Sequence, residues 1–219
     1  VCISRDQAAH FEALFDRPCR VAHNAVDARF YNSIELSERS DRFLFLARFS
    51  RIKGPLIAIE ACKKANAKLD LVGDVSITNE PDYLQQCAAK CNGTSIRLVG
   101  PATRGQCVKW YSQAFCFLHP NRDFREPFGL APLEASCCGV PVIAWNKGAV
   151  KDTILPNVTG WLVNSEEEFV DRIRKVMSDG ITNDQRWDCV LWARKAFSLE
   201  KMATRYHELC VEAEETGGW

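Results

Sequence analysis

Six short runs in this chain are apolar at nearly every position: RFLFLA (42–47), KLDLVG (68–73), TSIRLVG (94–100), AFCFLH (114–119), GVPVIAW (139–145) and TGWLVN (159–164). A strand with one wet face alternates apolar and polar side chains, whereas a strand apolar throughout is covered on both faces. Between the runs, PLIAIEACKKAN, PDYLQQCAAKC, RGQCVKWYSQA and FGLAPLEASCC place their apolar residues at helical spacing. Strand and helix in repeated alternation predict a doubly wound α/β domain, with a mostly parallel, Rossmann-like sheet between helices.

After Ser165 the pattern turns helical. SEEEFVDRIRKVMSDG offers Ser165 as N-cap and Glu168 three residues on, a capping box, with Gly180 to close the helix. Two more helices are expected near 183–196 and 198–213, and the end EETGGW reads as frayed. Residues 24–41 form the longest stretch without periodicity and read as a junction. The chain starts at Val1 in a strand-like VCIS, which suggests a piece of something longer. The expected division is 1–40 as an N-terminal strand-helix-strand remnant and junction, 41–180 as the Rossmann-like domain, and 181–219 as C-terminal helices packed on it.

The 28 basic and 28 acidic side chains cancel. Generic nucleic-acid or anionic-membrane binding asks for a basic excess, so the balance argues against both. Eleven cysteines, an odd number set mostly in apolar runs without a CxxC pair, read as reduced, buried hydrophobes of a cytoplasmic protein. No apolar run approaches the roughly 20 residues of a transmembrane helix. The Asn-x-Thr triplets at Asn92 and Asn157 matter only in a secreted chain.

Ligands of open parallel sheets bind beyond the carboxyl ends of the strands. Three loops at that edge stand out. RFSRIKG carries Arg48, Arg51 and Lys53 ahead of a helix start, which suits phosphate; taken alone it is as well explained by solvated loop charge. HPNRDFREPFGL leads through Phe128 and Gly129 into a helix whose first amides are unpaired. Gly129 lets a ligand approach the backbone, and Pro132 is tolerable in the first turn. Glu126 stands before that helix and Glu134 about 7 Å along it. Carboxylates accept from vicinal sugar hydroxyls. Sugar at Glu126, diphosphate at the helix end and ribose at Glu134 make the shape of a nucleotide sugar. The third loop, NKGAVKD, has Gly148 and Asp152, and Asp152 is as readily a helix cap as a ligand contact.

With these segments in view, the chain resembles the C-terminal, donor-binding half of family-four retaining glycosyltransferases, which have the GT-B fold. The resemblance runs over most of the chain, through VAHNAVDARFY, ARFSRIKGPLIAIEA, KLDLVGD, IRLVG, EPFGLAPLEASCCGVPVIA, GAVKDTI and TGWLV, in the family's order. It implies that Arg48 and Lys53 hold the donor diphosphate, that Glu126 contacts the transferred sugar, and that these three serve the reacting bond. It implies further that the backbone of Phe128, Gly129 and Leu130 lies against sugar and phosphate, and that Glu134 binds the ribose. The nucleobase would lie near Gly73, Val99 and Gly100. No metal is implied, since Arg, Lys and the helix end neutralise the leaving group.

The chain departs from the family's pattern at Ala47, Asn24-Ala25, Ala149 and Asp152, all at the edge of the donor site. His119, before a proline at a strand end, reads as structural. Too few residues precede strand 42–47 for a second Rossmann-like domain of about 150 residues. The expectation is therefore a donor half, inactive alone, that lacks its N-terminal acceptor-binding domain. The acceptor is left open, with glycan or lipid favoured, and peripheral membrane association would come through the missing half. The alternative is a non-catalytic nucleotide-sugar-binding module. A nicotinamide-dependent oxidoreductase ranks lower, because no GxGxxG follows a strand.

Overall fold

Both faces of the sheet find cover, as the all-apolar runs require. The computed structural model describes residues 1–32, 39–75 and 80–217. Six strands, β1 (Arg42–Leu46), β2 (Lys68–Val72), β3 (Ile96–Gly100), β4 (Phe117–His119), β5 (Val142–Trp145) and β6 (Gly160–Val163), form one sheet in the order β3-β2-β1-β4-β5-β6. Every pairing is parallel. The chain forms this doubly wound, Rossmann-like α/β fold as the patterning predicts.

Alternation along each strand divides the core. Phe43 and Phe45 of β1 and Ile143 of β5 point to a face covered by α2 (Pro55–Ala65), α3 (Pro81–Ala89) and α7 (Glu166–Asp179). Leu44, Val142 and Ala144 point to the other, where α4 (Arg104–Gln113), α5 (Leu130–Cys137), α6 (Val150–Thr153) and α8 (Asn183–Ala196) pack. The last helix, α9, spans Leu199–Thr216 and runs about a turn beyond the expected end. Gly218 and Trp219 of the frayed-end reading, and residues 33–38 of the junction, lie outside the described residues.

Two local expectations are corrected. VCIS does not build a strand of the sheet; Cys2 makes one parallel bridge to Val21, and the chain enters α1 (Arg5–Phe15) with Ser4 as N-cap. An apolar tripeptide followed at once by a capping serine is too short to extend a ladder. The capping box of α7 is half formed. Ser165 Oγ accepts from Glu168 N, but the Glu168 carboxylate reaches one residue further back, to Asn164 N at 2.7 Å.

The strands also carry one buried charge cluster. Asp70 in β2, 4% exposed, accepts from Arg42 Nε (2.7 Å) and from Arg97 Nε and Nη2 (both 2.6 Å). Arg42 also donates to the carbonyls of Leu69, Thr94 and Ser95. Three strands are thus tied together at their amino-terminal ends, where a lone carboxylate would be strongly unfavourable.

A candidate ligand cleft at the switch point of the sheet

Strand order reverses between β1 and β4: the chain moves from β1 towards β2 on one side and from β4 towards β5 on the other. Such a switch point opens a crevice at the carboxyl ends of the strands. The loop after β1 and the loop after β4 both emerge there and line a cleft of about 440 Å³. It brings together Arg48, Lys53, Glu126, Phe128, Gly129, Leu130 and Glu134 from the expected site. Asn24, Ala47 and His119 share its wall.

Lys53 sits on a single 3-10 turn, Arg51–Lys53, just before α2. Its Nζ donates to Glu126 Oε2 at 2.7 Å, and Asn121 Nδ2 donates to the same oxygen at 2.8 Å. Neither donor touches Oε1, which leaves that oxygen for a ligand hydroxyl. Arg48 is exposed on the cleft wall. The backbone of Glu126 is itself pinned, since Ala149 N donates to its carbonyl (2.8 Å) and Gly148 bridges it. A Cβ on Gly148 would come within 2.5 Å of Glu126 N, so only glycine permits that approach.

Gly129 opens α5 at φ 94°, a left-handed conformation, and no side chain caps the first amides of that helix. Phe128 is core, 2% exposed and edge-on to Phe197, so only its backbone serves the cleft. Leu130 is exposed. Glu134 lies one turn in and is mostly buried. Tyr31 Oη donates to its Oε1 (2.8 Å) and Tyr111 Oη to its Oε2 (3.0 Å). Burial pushes the Glu134 carboxyl above the usual range, against the opposing pull of the two hydroxyls. Burial and the adjoining carboxylate raise both phenols in turn. Each carboxylate oxygen has a further lone pair to accept from a ligand hydroxyl.

His119 ends β4 against Glu126, with Nε2 3.7 Å from Oε2 and no hydrogen-bond partner among the described residues. Burial is the main cause that lowers its pKa to about 4; Lys53 adds to the effect and Glu126 opposes it. The buried imidazole at the end of β4 suits the structural reading, and it also stands on the cleft wall. Asn121, Tyr31 and Tyr111 went unnoticed in the sequence. Tyr31 falls in the stretch read as a junction, and its partner is 103 residues away.

Gly73, Val99 and Gly100 do not line the cleft. They sit at the ends of β2 and β3, where Gly73 N donates to Gly100 O (2.8 Å) and Val99 is 41% exposed. Asp152 is also elsewhere: it accepts from Arg5 N (2.7 Å) and faces His23 at 3.5 Å, tying α6 to α1. It lines a second depression, of about 800 Å³, beside α9. None of the residues assigned to sugar, phosphate or ribose lines that one.

The family model described as "Glycosyl transferases group 1" matches residues 28–189. The chain belongs to the group 1 glycosyl transferases. The D-inositol 3-phosphate glycosyltransferase 1 of Catenulispora acidiphila is 31% identical over 150 residues, 62% of this chain and 35% of that protein. The D-inositol 3-phosphate glycosyltransferase of Paenarthrobacter aurescens is 26% identical over 213 residues, 89% of this chain and 52% of that one. The chain thus spans about a third to a half of the curated relatives it matches. Among solved structures, Anabaena HepE in complex with UDP superposes with a TM-score of 0.83 at 20% identity, covering 96% of this chain and 63% of that one. Sucrose-phosphate synthase from Thermosynechococcus elongatus gives 0.81 at 21% identity, with 98% and 58% covered. In this group 1 glycosyl transferase the sheet is one Rossmann-like half of a GT-B fold.

Proposed function

We propose that this chain binds the nucleoside-diphosphate sugar of a retaining glycosyltransferase that moves a hexose-type sugar to an acceptor. The observation that supports it best is the placement of Glu126 and Glu134 on either side of the uncapped start of α5, with Arg48 and Lys53 on the same cleft. Diphosphate suits the amides and cations. Sugar hydroxyls suit Glu126 Oε1, and ribose suits Glu134. Charge on the departing diphosphate would be stabilised by Arg48, Lys53 and the helix end, with no metal.

UDP and UDP-glucose are the first ligands to try, because Anabaena HepE structures hold them. The acceptor would be a glycan or a lipid, presented by an acceptor-binding domain, and the chain by itself would not transfer sugar. Free thiols throughout suit a cytosolic setting. Calorimetry with UDP, GDP, ADP and UDP-glucose, with and without EDTA, tests the reading. Binding of one nucleoside diphosphate, unchanged by EDTA, is expected. No binding by any of them overturns the function, and binding abolished by EDTA overturns the metal-free claim.

A further inference from the structure

The roles proposed for Lys53 and Glu126 collide in the structure. Lys53 is to hold phosphate and Glu126 a sugar hydroxyl, yet Lys53 Nζ holds Glu126 Oε2 at 2.7 Å. The two side chains are only 17% and 12% exposed. A carboxylate so far from water, deprived of its cation, is strongly disfavoured unless another donor arrives. Asn121 is already engaged with that oxygen. His119 Nε2 stands 3.7 Å from it, buried and without a hydrogen-bond partner among the described residues. A shift of roughly 0.7 Å would bring it to hydrogen-bond distance.

We propose that Lys53 and His119 alternate on Glu126: Lys53 holds Oε2 while the cleft is empty, and the Nε2–H of His119 replaces it when a nucleotide's diphosphate draws the Lys53 ammonium away. The inference rests on the nucleotide-binding reading. It makes His119 a positioning residue, which keeps Glu126 in place so that Oε1 stays available to the sugar. It also explains an otherwise unsatisfied imidazole nitrogen on the cleft wall. The charged groups that face His119 are Glu126 and Lys53. Burial and Lys53 keep the ring neutral, and Glu126 alone opposes them. Once Lys53 leaves, the proton affinity of His119 has to rise, so nucleotide binding in the mildly acidic range between the free and the raised midpoint should take up protons.

Imidazole nitrogen NMR of the whole chain tests this in two arms. In the free protein, Lys53→Met should raise the His119 titration midpoint by about one pH unit or more, and Lys53→Met with Glu126→Gln should not. In the wild type, saturating UDP should move the His119 Nε2 signal in the same direction. Calorimetry at about pH 5 in buffers of different ionisation heat should show the proton uptake. UDP that binds without moving the His119 signal overturns the alternation and leaves the nucleotide reading standing. A response to Lys53→Met in a protein that binds none of UDP, GDP, ADP and UDP-glucose overturns the nucleotide reading, and the liganded half of the alternation with it. Should Lys53→Met not fold, the UDP titration of the wild type decides alone.

Discussion

Replacing Glu126 by Gln keeps the side chain's shape and removes its charge. In the wild type its Oε2 accepts from Lys53 at 2.7 Å and from Asn121 at 2.8 Å. A hydrogen bond with an ionised partner contributes about 1.5–3 kcal/mol, and the bond from Lys53 to Gln, with one ionised partner instead of two, lies at the lower end of that range. A diphosphate that recruits Lys53 must first break the doubly ionised one. With Gln in place it breaks the weaker bond, so roughly 1–1.5 kcal/mol is released to binding. UDP should therefore bind about 5- to 12-fold tighter to Glu126→Gln than to the wild type. The sugar end moves the other way, because its hydroxyl loses a charged acceptor. UDP-glucose should gain little or nothing, and the preference for UDP-glucose over UDP should fall about fivefold or more. Isothermal titration of both ligands against both proteins reads the two effects, with thermal melts to confirm folding. Weaker binding of UDP to Glu126→Gln would refute the idea that Lys53 is shared between this acid and the phosphate.

Other outcomes are expected on the same grounds. Asp70→Ala strands two arginines, one of them buried, and should destabilise the fold by about 3–5 kcal/mol in urea titration; a loss under 1 kcal/mol would mean that the cluster is solvated. Tyr111→Phe removes a fully buried donor from Glu134 and should lower stability by roughly 1–3 kcal/mol, again by urea titration. His119 has a depressed pKa in the fold, near 4 against an ordinary 6.5, so the unfolded chain takes up its proton first. Stability should be intact above about pH 6.5 and should fall as pH drops towards 4, by up to roughly 3 kcal/mol from this group; His119→Leu should flatten that part of the profile. Alkylation in denaturant without reductant should label all eleven free cysteines, read by intact mass; two missing labels would reveal a disulfide.

Runs such as RFLFLA and GVPVIAW announce their strands because burial on both faces leaves no polar position. The helix at 183–196 emerges with the expected ends for a similar reason, since Thr182 caps it and Ala196 closes its pattern. The loops after β1 and β4 could also be named in advance, because charge, glycine and a helix start recur in them. Their convergence follows from the order of the strands, and that order is a property of crossovers rather than of any one segment. VCIS shows the limit of local reading. Its apolar pattern suits a strand, but no neighbour offers it a full ladder, and one bridge to Val21 is all it makes.

By itself, then, the sequence determined the layered α/β class and the three loops at the sheet's edge that hold the candidate site residues. Hydrophobic periodicity and turn chemistry are local, so they can be read residue by residue. The tertiary structure alone decided who touches whom. Lys53 meets Glu126 across 73 residues, and Tyr31 meets Glu134 across 103. It decided too that Gly73 packs against Ala47 of the cleft wall without lining the cleft itself, and that His119 ends β4 beside Glu126 with its nitrogen unsatisfied. Such pairings depend on strand register and loop path at the switch point, where a displacement of an ångström or two separates a hydrogen bond from a gap. No pattern within a single segment encodes that distance.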